Sequence, residues 1–567
     1  MERPTMPLTY QYEPLTSDME IRLLELIPSE SENTLRCRII REDLHNPELK
    51  KFGAISYAWG SGERSTSITC NDKDEVLEIT PNCSHALYSL QRLTAETPYL
   101  WIDAICINQK DLVERSHQVL IMGKIYAAAS TTYIYLGDST DGSNFLFQHL
   151  QDMEGKLQAG EKAGRQPEPS EGLVDEVKEL FKRPWFSGIW AVQDLMNSKQ
   201  PIFICGDKKA TSRALMECHD GYSRGWRVPT ISPAPVEFWL ERSKYHTGKG
   251  TSAAQILLFL AAQTGLCKST NPRDRVLALA PLMEDELPPE LIPLIDYSLP
   301  VEEFLQRFAL FLLKDVGLCL LRMVRHPHSQ TMPSWMPDLT ENRGKKYYDN
   351  NMPMYFDHYT DGEKVFREFS TMPNDGKAGQ LLVVKALRCG RIQDFGPLIE
   401  PVENDDLAIL GAARNLYNTV ESIRQGANLP QWPGSIRQAL RKMNPIRMGD
   451  LFRSADERGQ EVNGDNAFHI MDGCSDCRVF ITTAGSLGVA PKEAQTGDLV
   501  CIVKGAIDPC IIREKGPNRW TLVSGDCVLL AAIDEFYEYR THDEPWRFNS
   551  EMMFDLFADK EETLTLC

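Results

Sequence analysis

The sequence is short of positive charge. Its 61 lysine and arginine residues stand against 80 aspartate and glutamate residues, which gives a net charge of −19 at pH 7. A surface with this excess of negative charge repels phosphate backbones and anionic lipid headgroups. We therefore expect neither nucleic acid nor a membrane surface as the partner. Small molecules or nucleotides, a protein partner and a second copy of the chain remain as candidates.

The sequence also lacks segments that direct a chain into or across a membrane. Residues 1–12 contain acidic residues and prolines instead of a basic start followed by an apolar core, so no secretory signal is evident. The longest apolar stretches, 253–267 and 304–321, are short or interrupted by polar side chains, and neither suits a bilayer span. The 15 cysteines are scattered, often within apolar runs, as in a reducing compartment. We expect a cytoplasmic protein.

Several common catalytic and metal-binding motifs are absent too. There is no glycine-rich phosphate-binding loop, no His-Glu-x-x-His zinc motif and no Gly-x-Ser-x-Gly turn for a nucleophilic serine. A single Cys-x-x-Cys, formed by Cys474 and Cys477, has His469 nearby but no second pair of ligands, and a structural zinc site needs four. The sequence therefore predicts no metal site and favours no P-loop, zinc-protease or serine-hydrolase function.

Short β-rich runs alternate with helical runs between residues 49 and 215. Two nearly continuous apolar runs, 52–59 and 99–107, have the length of strands that are covered on both faces. The alternation predicts an α/β domain with a doubly wound, mostly parallel sheet. The expected elements are strands at 54–59, 99–105 and 132–136, a hairpin at 67–80, and helices at 84–93, 112–129 and 185–196.

The length of 567 residues allows about three or four domains. Helical spacing dominates after the α/β region and is clearest at 301–313, whereas β-rich runs follow Gln380. These runs are 381–387, 478–482, 498–503 and 527–533. We divide the chain into a lead-in (1–48), the α/β domain (49–215), a helical region (216–375) and a β-rich C-terminal domain (376–567).

Four segments of the N-terminal third carry distinctive motifs. They are YEPLTSDMEIRLLELIPS (12–29), AISYAWG (54–60), LWIDAICINQKDLVERSHQVLIMGKIYAAASTTYIYLGD (100–138) and RPWFSGIWAVQDL (183–195). Together they resemble the fungal heterokaryon-incompatibility (HET) domain family. Further segments resemble long members of that family, so the likeness extends over nearly the whole chain. These segments are NPRDRVLAL (271–279), DYSLPVEEF (296–304), PSWMPDL (333–339) and GDLVCIVKGAIDPCIIR (497–513).

The resemblance implies a TIR-like N-terminal module and a role in non-self recognition that leads to fungal cell death. In TIR enzymes that cleave NAD, a helix with a Trp-x-x-x-Glu pattern supplies the carboxylate that acts at the nicotinamide ribose. Trp190 and Asp194 match that spacing with a shorter carboxylate arm, and Gly188 stands where the usual HET pattern has an arginine. The resemblance thus implies NAD as a candidate ligand or substrate, requires no cofactor, and predicts weak cleavage.

Asp103 is a second candidate catalytic residue beside Asp194. A carboxylate inside the apolar run 99–107 needs a partner or an opening to solvent, and the carboxyl end of a central strand is where open α/β sheets bind ligands. The structural alternative is that Asp103 caps the following loop or pairs with Arg115. If both carboxylates are functional, Asp103 and the helix that carries Asp194 should meet at one edge of the sheet.

The remaining candidates for ligand binding lie in the same motifs, and those of the first strand and of the loop after 107 have structural alternatives. Side chains at the end of the first strand could pack in the core or at its rim, and those after 107 could shape a turn or begin a helix. The candidates are Ser56, Tyr57, Trp59, Asn108, Gln109, Glu114, Trp190 and Gln193.

Three functions stay open at this point. The first is a HET-family cell-death effector with a ligand pocket beside Asp103 and Asp194. The second is a HET scaffold repurposed as a small-molecule enzyme of secondary metabolism, which is favoured by Gly188, by the short arm of Asp194 and by an atypical ending at 525–535. The third is a non-catalytic interaction module that signals by oligomerising.

Overall fold

A computed structural model gives the fold of two compact units, residues 1–249 with 263–301 and residues 250–262 with 302–567. Apart from a few single positions, it describes residues 8–27, 34–71, 75–93, 98–158, 171–216, 267–282, 289–324, 332–337, 369–374, 377–399, 476–506, 508–525, 527–531 and 558–567. Much of the helical region expected at 216–375, together with His469 and Cys474, lies outside the described residues.

The first unit contains a mixed sheet, for which nine strands are described. They are β1 (Glu20–Ile27), β2 (Arg36–Asp43), β3 (Phe52–Tyr57), β4 (Thr66–Cys70), β5 (Glu75–Ile79), β6 (Tyr99–Trp101), β7 (Thr131–Tyr135), β8 (Pro201–Cys205) and β9 (Lys208–Thr211). Their order across the sheet is β5-β4-β2-β1-β6-β3-β7-β8-β9.

The direction of the strands confirms only part of the predicted parallel sheet. Strands β6, β3, β7 and β8 form a parallel centre. Antiparallel pairing occurs on both sides of it, between β1 and each of β2 and β6, and between β8 and β9. The sheet is therefore mixed rather than mostly parallel. Residues 1–48, expected as a lead-in, contribute β1 and β2 to it.

The helices described for the first unit follow the predicted alternation. They are α1 (Pro81–Leu93), α2 (Asp103–Cys106), α3 (Leu112–Ala128), α4 (Asp141–Gln158), α5 (Glu171–Phe181), α6 (Trp190–Met196) and α7 (Asp274–Leu277). Asp111 begins α3 because its carboxylate accepts hydrogen bonds from the backbone N–H groups of Val113 (3.0 Å) and Glu114 (3.1 Å).

Apolar side chains pack on both faces of the parallel centre, as β7 shows. Tyr133 and Tyr135 belong to a cluster that includes residues of α1 and α3, whereas Ile134 and Leu136 belong to a cluster with residues of α4 and α5. Successive side chains of a strand point to opposite faces. This double burial explains why the central strands read as continuous apolar runs.

The expected strand at 99–105 is wrong beyond Trp101. The backbone N–H groups of Ile105 and Cys106 donate to the carbonyl oxygen of Ile102, so Asp103 begins the short helix α2 instead of continuing β6. Residues 104–107 are nevertheless buried. A short buried helix and a buried strand have the same apolar composition, so periodicity cannot separate them.

The expected helix at 185–196 is also wrong in its first half. A 3-10 turn covers Pro184–Ser187, Gly188 is extended, and α6 begins only at Trp190. The interruption pairs with Lys268, whose carbonyl accepts from the N–H of Ile189 (3.1 Å) and whose N–H donates to Ser187 (2.6 Å). A partner so distant in sequence leaves no local signal.

The second unit confirms the β-rich C-terminal region. Its described strands are β10 (Ser370–Asn374), β11 (Lys377–Leu398), β12 (Cys477–Thr482), β13 (Leu487–Pro491), β14 (Leu499–Val503), β15 (Cys510–Gly516), β16 (Arg519–Ser524), β17 (Val528–Ala531) and β18 (Glu562–Leu566). Strands β11, β14, β15, β16 and β18 close into a barrel-like ring. The predicted helix at 301–313 is α8 (Val301–Val316). In the described part of the chain, every helix is too short or too polar to cross a membrane.

Candidate functional site

The carboxyl end of β3 brings two motif residues to one edge of the sheet. Ser56 is buried near the end of the strand, whereas Trp59 follows the strand and is 36% exposed. The chain turns directly afterwards at Gly60, whose φ of 75° favours glycine. The sequence AISYAWG thus places a hydroxyl group inside the domain and an indole ring at its surface.

Asp194 lies behind this strand end and is bound to Ser56. The Ser56 hydroxyl donates to Oδ2 of Asp194 (2.6 Å), and the indole N–H of Trp185 donates to the Ser56 oxygen (2.7 Å). Asp194 is only 6% exposed, and its Oδ1 is buried without a geometric hydrogen-bond partner among the described residues. The fourth sequence motif and the first are therefore joined through one buried hydroxyl group.

The pKa of Asp194 is raised to about 8. Burial is the main cause, because it penalises the charged carboxylate, and repulsion from Asp103 acts in the same direction. The hydroxyl groups of Ser56 and Tyr126 oppose the shift. At neutral pH the side chain of Asp194 is therefore mainly the neutral acid.

Asp103 occupies the more open side of the same edge. The indole N–H of Trp59 donates to Oδ2 of Asp103 (2.9 Å), and the N–H of Ala104 donates to Oδ1 (2.7 Å). Burial raises the pKa of Asp103 to about 6, while these hydrogen bonds and the charges of Arg115 and Arg64 oppose that rise. Asp103 is thus mainly ionised at neutral pH.

The structure joins four of the predicted residues in two hydrogen-bonded pairs, and they belong to three separate motifs. Ser56 and Trp59 come from the strand end, Asp103 from the start of α2 and Asp194 from α6. The charge of Asp103 acts on Asp194, so the two pairs lie near the same strand end. That Asp103 and Asp194 line one pocket stays a prediction.

The candidates at 108–114 mainly organise the loop between α2 and α3. The amide of Gln109 donates to the carbonyl of Asp103 (2.9 Å), and Asn108 accepts from the N–H of Lys110 (3.3 Å). Glu114 accepts from the N–H of Asn108 (2.7 Å) and forms an ion pair with the buried Arg22 (2.6 Å). These contacts place Gln109 beside the site and engage Glu114 within the protein.

Tyr57, Trp190 and Gln193 make internal contacts. Tyr57 is buried. Trp190 donates from its indole N–H to Oδ2 of Asp274 (3.3 Å). Gln193 is buried, and in the amide orientation that satisfies both neighbours it donates to Ala278 (3.1 Å) and accepts from the N–H of Gly123 (3.0 Å).

Two contributors to the site are missing from the sequence-based set. Trp185 orients Ser56, and Tyr126 lies close enough to Asp194 to oppose the rise in the pKa of that residue. Trp185 lies in the motif at 183–195, so the sequence contains a signal that could have identified it. Tyr126 follows the apolar spacing of α3, so its sequence position indicates only packing.

The arrangement combines a neutral acid with an ionised carboxylate. Two carboxyl groups with different pKa values can divide acid and base roles, as catalytic pairs do. The described residues include no group of three or more His, Cys, Asp or Glu side chains suited to a metal ion. Any chemistry proposed for this edge therefore rests on the carboxyl pair, the serine hydroxyl, the exposed indole and the nearby guanidinium groups.

Comparison with known proteins finds one family model whose match includes Ser56, Trp59, Asp103 and Asp194. Residues 52–194 match the family model described as heterokaryon incompatibility protein (HET). Heterokaryon incompatibility protein 6, OR allele, from Neurospora crassa is 28% identical over 242 residues. That alignment covers 35% of this chain and 35% of the relative, so the chain matches about a third of the relative's length. No solved structure gives a significant match.

Proposed function

We propose that this chain, which carries a HET domain at residues 52–194, acts in fungal non-self recognition and binds, and slowly cleaves, a nucleotide such as NAD. The observation that carries the proposal is a pair of hydrogen bonds near the carboxyl end of β3, from Ser56 to Asp194 and from Trp59 to Asp103, together with the effect of the Asp103 charge on Asp194. All four residues lie within the family match, and the relative from Neurospora crassa is an incompatibility protein by name.

Binding of a nucleotide is supported by the character of this edge. The indole ring of Trp59 is partly exposed and is fixed by its hydrogen bond to Asp103. A fixed aromatic face suits stacking with a flat base or a nicotinamide ring. Open α/β sheets also bind ligands outside the carboxyl ends of their parallel strands, and the parallel centre ends here.

The reaction that suits the carboxyl pair is hydrolysis of the N-glycosidic bond. The bond between C1′ of the ribose and the nicotinamide nitrogen breaks, and its electron pair neutralises the pyridinium ring. The ionised Asp103 would stabilise the positive charge that develops on the ribose and accept the proton of the water that attacks C1′. The neutral Asp194 would hold Ser56 and remain uncharged behind the reacting atoms.

The same geometry explains why the proposed cleavage is slow. Asp194 ends at the Ser56 hydroxyl and is nearly inaccessible, so its carboxyl group cannot approach a ribose without rearrangement. Catalytic groups need placement within about 0.5 Å of productive geometry. In addition, Gly188 offers no cation where the resemblance implies one.

The experiment is to titrate the purified full-length chain with NAD by calorimetry and to follow release of nicotinamide by chromatography. Asp103→Asn should lower the release rate at least tenfold, which corresponds to about 1.4 kcal/mol of barrier. Asp175→Asn is the matched control, because Asp175 lies on α5 and makes only a surface pair with Lys178. Unchanged release by Asp103→Asn, or no binding of NAD by the wild-type protein, would contradict the proposal.

The hydrogen bond between Ser56 and Asp194 also favours a second candidate, a HET scaffold that converts a different small molecule. This hydrogen bond engages the carboxyl group of Asp194, which corresponds to the carboxylate that acts at the ribose in TIR enzymes that cleave NAD. Mass spectrometry of the compounds that the purified chain retains or converts separates the two functions. Conversion of an unrelated compound, without nicotinamide release, would favour the second.

A further inference from the structure

Most guanidinium groups around the site are already engaged by the protein itself. Arg22 pairs with Glu114 (2.6 Å), and Arg64 donates to the carbonyl of Glu78 (3.3 Å). Arg183 donates to the carbonyl oxygens of two residues beyond β7, each at 2.9 Å. Within the described ranges, no carboxylate lies at ion-pair distance from the guanidinium of Arg115, which is partly exposed. Arg115 is therefore the cation best suited to a ligand.

Arg115 is nevertheless held in place, by an aromatic platform. Its guanidinium carbon lies 4.0 Å from the centre of the Tyr297 ring. The backbone N–H of Tyr297 donates to the hydroxyl of Ser116 (3.0 Å), which fixes the tyrosine against α3. A guanidinium carries five N–H donors, so contact with the tyrosine still leaves donors for a ligand.

A single buried carboxylate supports this platform and the site helix together. The hydroxyl of Tyr297 donates to Oδ1 of Asp274 (2.6 Å), and Trp190, the first residue of α6, donates to Oδ2 (3.3 Å). Asp274 is 6% exposed. The helix that carries Asp194 and the platform under Arg115 therefore share one anchor.

The position of Arg115 relative to the site is given by its neighbours. Its charge acts on Asp103 and on Asp274, so it lies near both the site edge and the anchor. Asp103 in turn holds Trp59, the exposed indole proposed to stack on the ligand ring. An anionic group attached to that ligand would meet the guanidinium beside Asp103.

We propose that Arg115 binds the phosphate groups of the nucleotide at the Trp59 edge, and that Asp274 and Tyr297 are positioning residues for Arg115. The inference rests on the proposed nucleotide function and names the residue that replaces the cation missing at Gly188. Both positioning residues follow the HET match, which ends at residue 194. The binding site thus extends beyond the family domain.

The test compares ligands with and without phosphate. Calorimetry with NAD and with nicotinamide riboside should show that Arg115→Gln weakens NAD at least tenfold and leaves the riboside unchanged. A tenfold change in Kd corresponds to about 1.4 kcal/mol of binding free energy. Arg115→Lys should retain part of the affinity because it keeps the charge. Arg41→Gln is the matched control, since Arg41 pairs with Glu13 and Glu20 on the antiparallel side of the sheet.

The positioning role has its own pair of variants. Tyr297→Leu removes the ring under Arg115 and should weaken NAD nearly as much as Arg115→Gln. Tyr297→Phe keeps the ring and loses only the bond to Asp274, so it should weaken NAD less. Equal effects of these two variants on NAD, together with equal losses for the riboside, would indicate misfolding instead of positioning and would overturn this part of the inference.

The outcomes separate this inference from the proposed function. If the wild-type protein binds NAD and Arg115→Gln binds it equally well, the inference is overturned and the proposed function stands. If the wild-type protein does not bind NAD, the proposed function fails, and inorganic pyrophosphate becomes the probe. A pyrophosphate-dependent shift of the Trp59 signal in ¹⁹F NMR of the fluorotryptophan-labelled protein, lost in Arg115→Gln, would support the inference. No shift would overturn it as well.

Discussion

Asp103 and Asp194 are chemically identical side chains that differ in what surrounds them. Asp194 is enclosed with one hydroxyl donor at 2.6 Å, whereas Asp103 has an indole and a backbone N–H as donors and two arginines nearby. The sequence indicated both as candidates, through the apolar run and the Trp-x-x-x-Asp spacing. It could not indicate which would be neutral, because that depends mainly on how deeply each carboxyl group is buried, which only the fold determines.

Asp194 should make the first unit less stable as pH rises. Its pKa is about 8 in the fold against 3.8 for the ordinary side chain, so the folded state holds the proton more tightly than the unfolded chain does. Stability then falls between about pH 4 and pH 8 by at most about 1.4 kcal/mol per pH unit. Asp194→Asn keeps a neutral side chain at every pH. Thermal unfolding from pH 5 to pH 8 should show a smaller decline for this variant than for the wild type.

Parallel pH profiles of wild type and Asp194→Asn would show that the folded protein does not hold this proton. Asp103 and Asp274 also have raised pKa values and are present in both proteins, so their contribution cancels to first order in the comparison. Asp175→Asn serves as the exposed control and should leave the profile unchanged.

Replacing Asp194 by glutamate and Gly188 by arginine should increase the rate of NAD cleavage. Gly188 has a φ of −79°, and the nearest atom to an added Cβ is the carbonyl oxygen of Trp185 at 3.4 Å, so the backbone here accepts a residue with a Cβ. Asp194→Glu combined with Gly188→Arg should raise nicotinamide release above wild type by tenfold or more. The single variants should gain less, because neighbouring substitutions couple. A double variant no faster than the wild type would show that neither departure limits the rate.

The elements of the α/β domain could be predicted where apolar residues recur with a regular spacing. They could not be predicted where the backbone bonds to a segment that is distant in sequence. Strands β3 and β7 and helices α1 and α3 follow from local patterns. The break between Ser187 and Trp190 does not, because it depends on hydrogen bonds to Lys268. The end of β6 at Trp101 could not be predicted for a different reason. The helix α2 that follows is as apolar and as buried as a strand.

The packing of α3 against the segment after α7 depends on Gly123. A Cβ atom at this position would lie 2.9 Å from Cβ of Pro281 and 3.3 Å from its carbonyl oxygen. Gly123→Ala should therefore destabilise the first unit by about 1 to 3 kcal/mol, as overpacked cores do. Denaturant titration measures this change.

Gly155 on α4 provides the matched control, because nothing lies within 4 Å of an added Cβ there. Gly155→Ala should stabilise the helix by about 0.5 to 1 kcal/mol. Equal changes for Gly123→Ala and Gly155→Ala would show that the contact with Pro281 is unimportant. Opposite signs would confirm that α3 and the following segment are tightly packed.

At the scale of the whole molecule, the region that matches the HET family is not a closed structural unit. Strands β1 and β2 precede the match and extend its sheet, whereas Asp274 and Tyr297 follow it and contact α6 and α3, respectively. The sequence motifs upstream and downstream of the domain indicated that the likeness continues, but not that these segments contact its sheet and helices. That information lies in pairings between residues far apart along the chain.

The most direct test of the account is cell viability on induced expression in a filamentous fungus. We expect the wild-type chain to reduce viability, and Asp103→Asn to abolish this effect at equal protein level, because the ionised carboxylate beside Trp59 is lost while the fold is kept. Asp175→Asn should remain as toxic as the wild type. Equal loss of viability with Asp103→Asn and wild type would contradict the claim that the carboxyl pair at the end of β3 is the functional site.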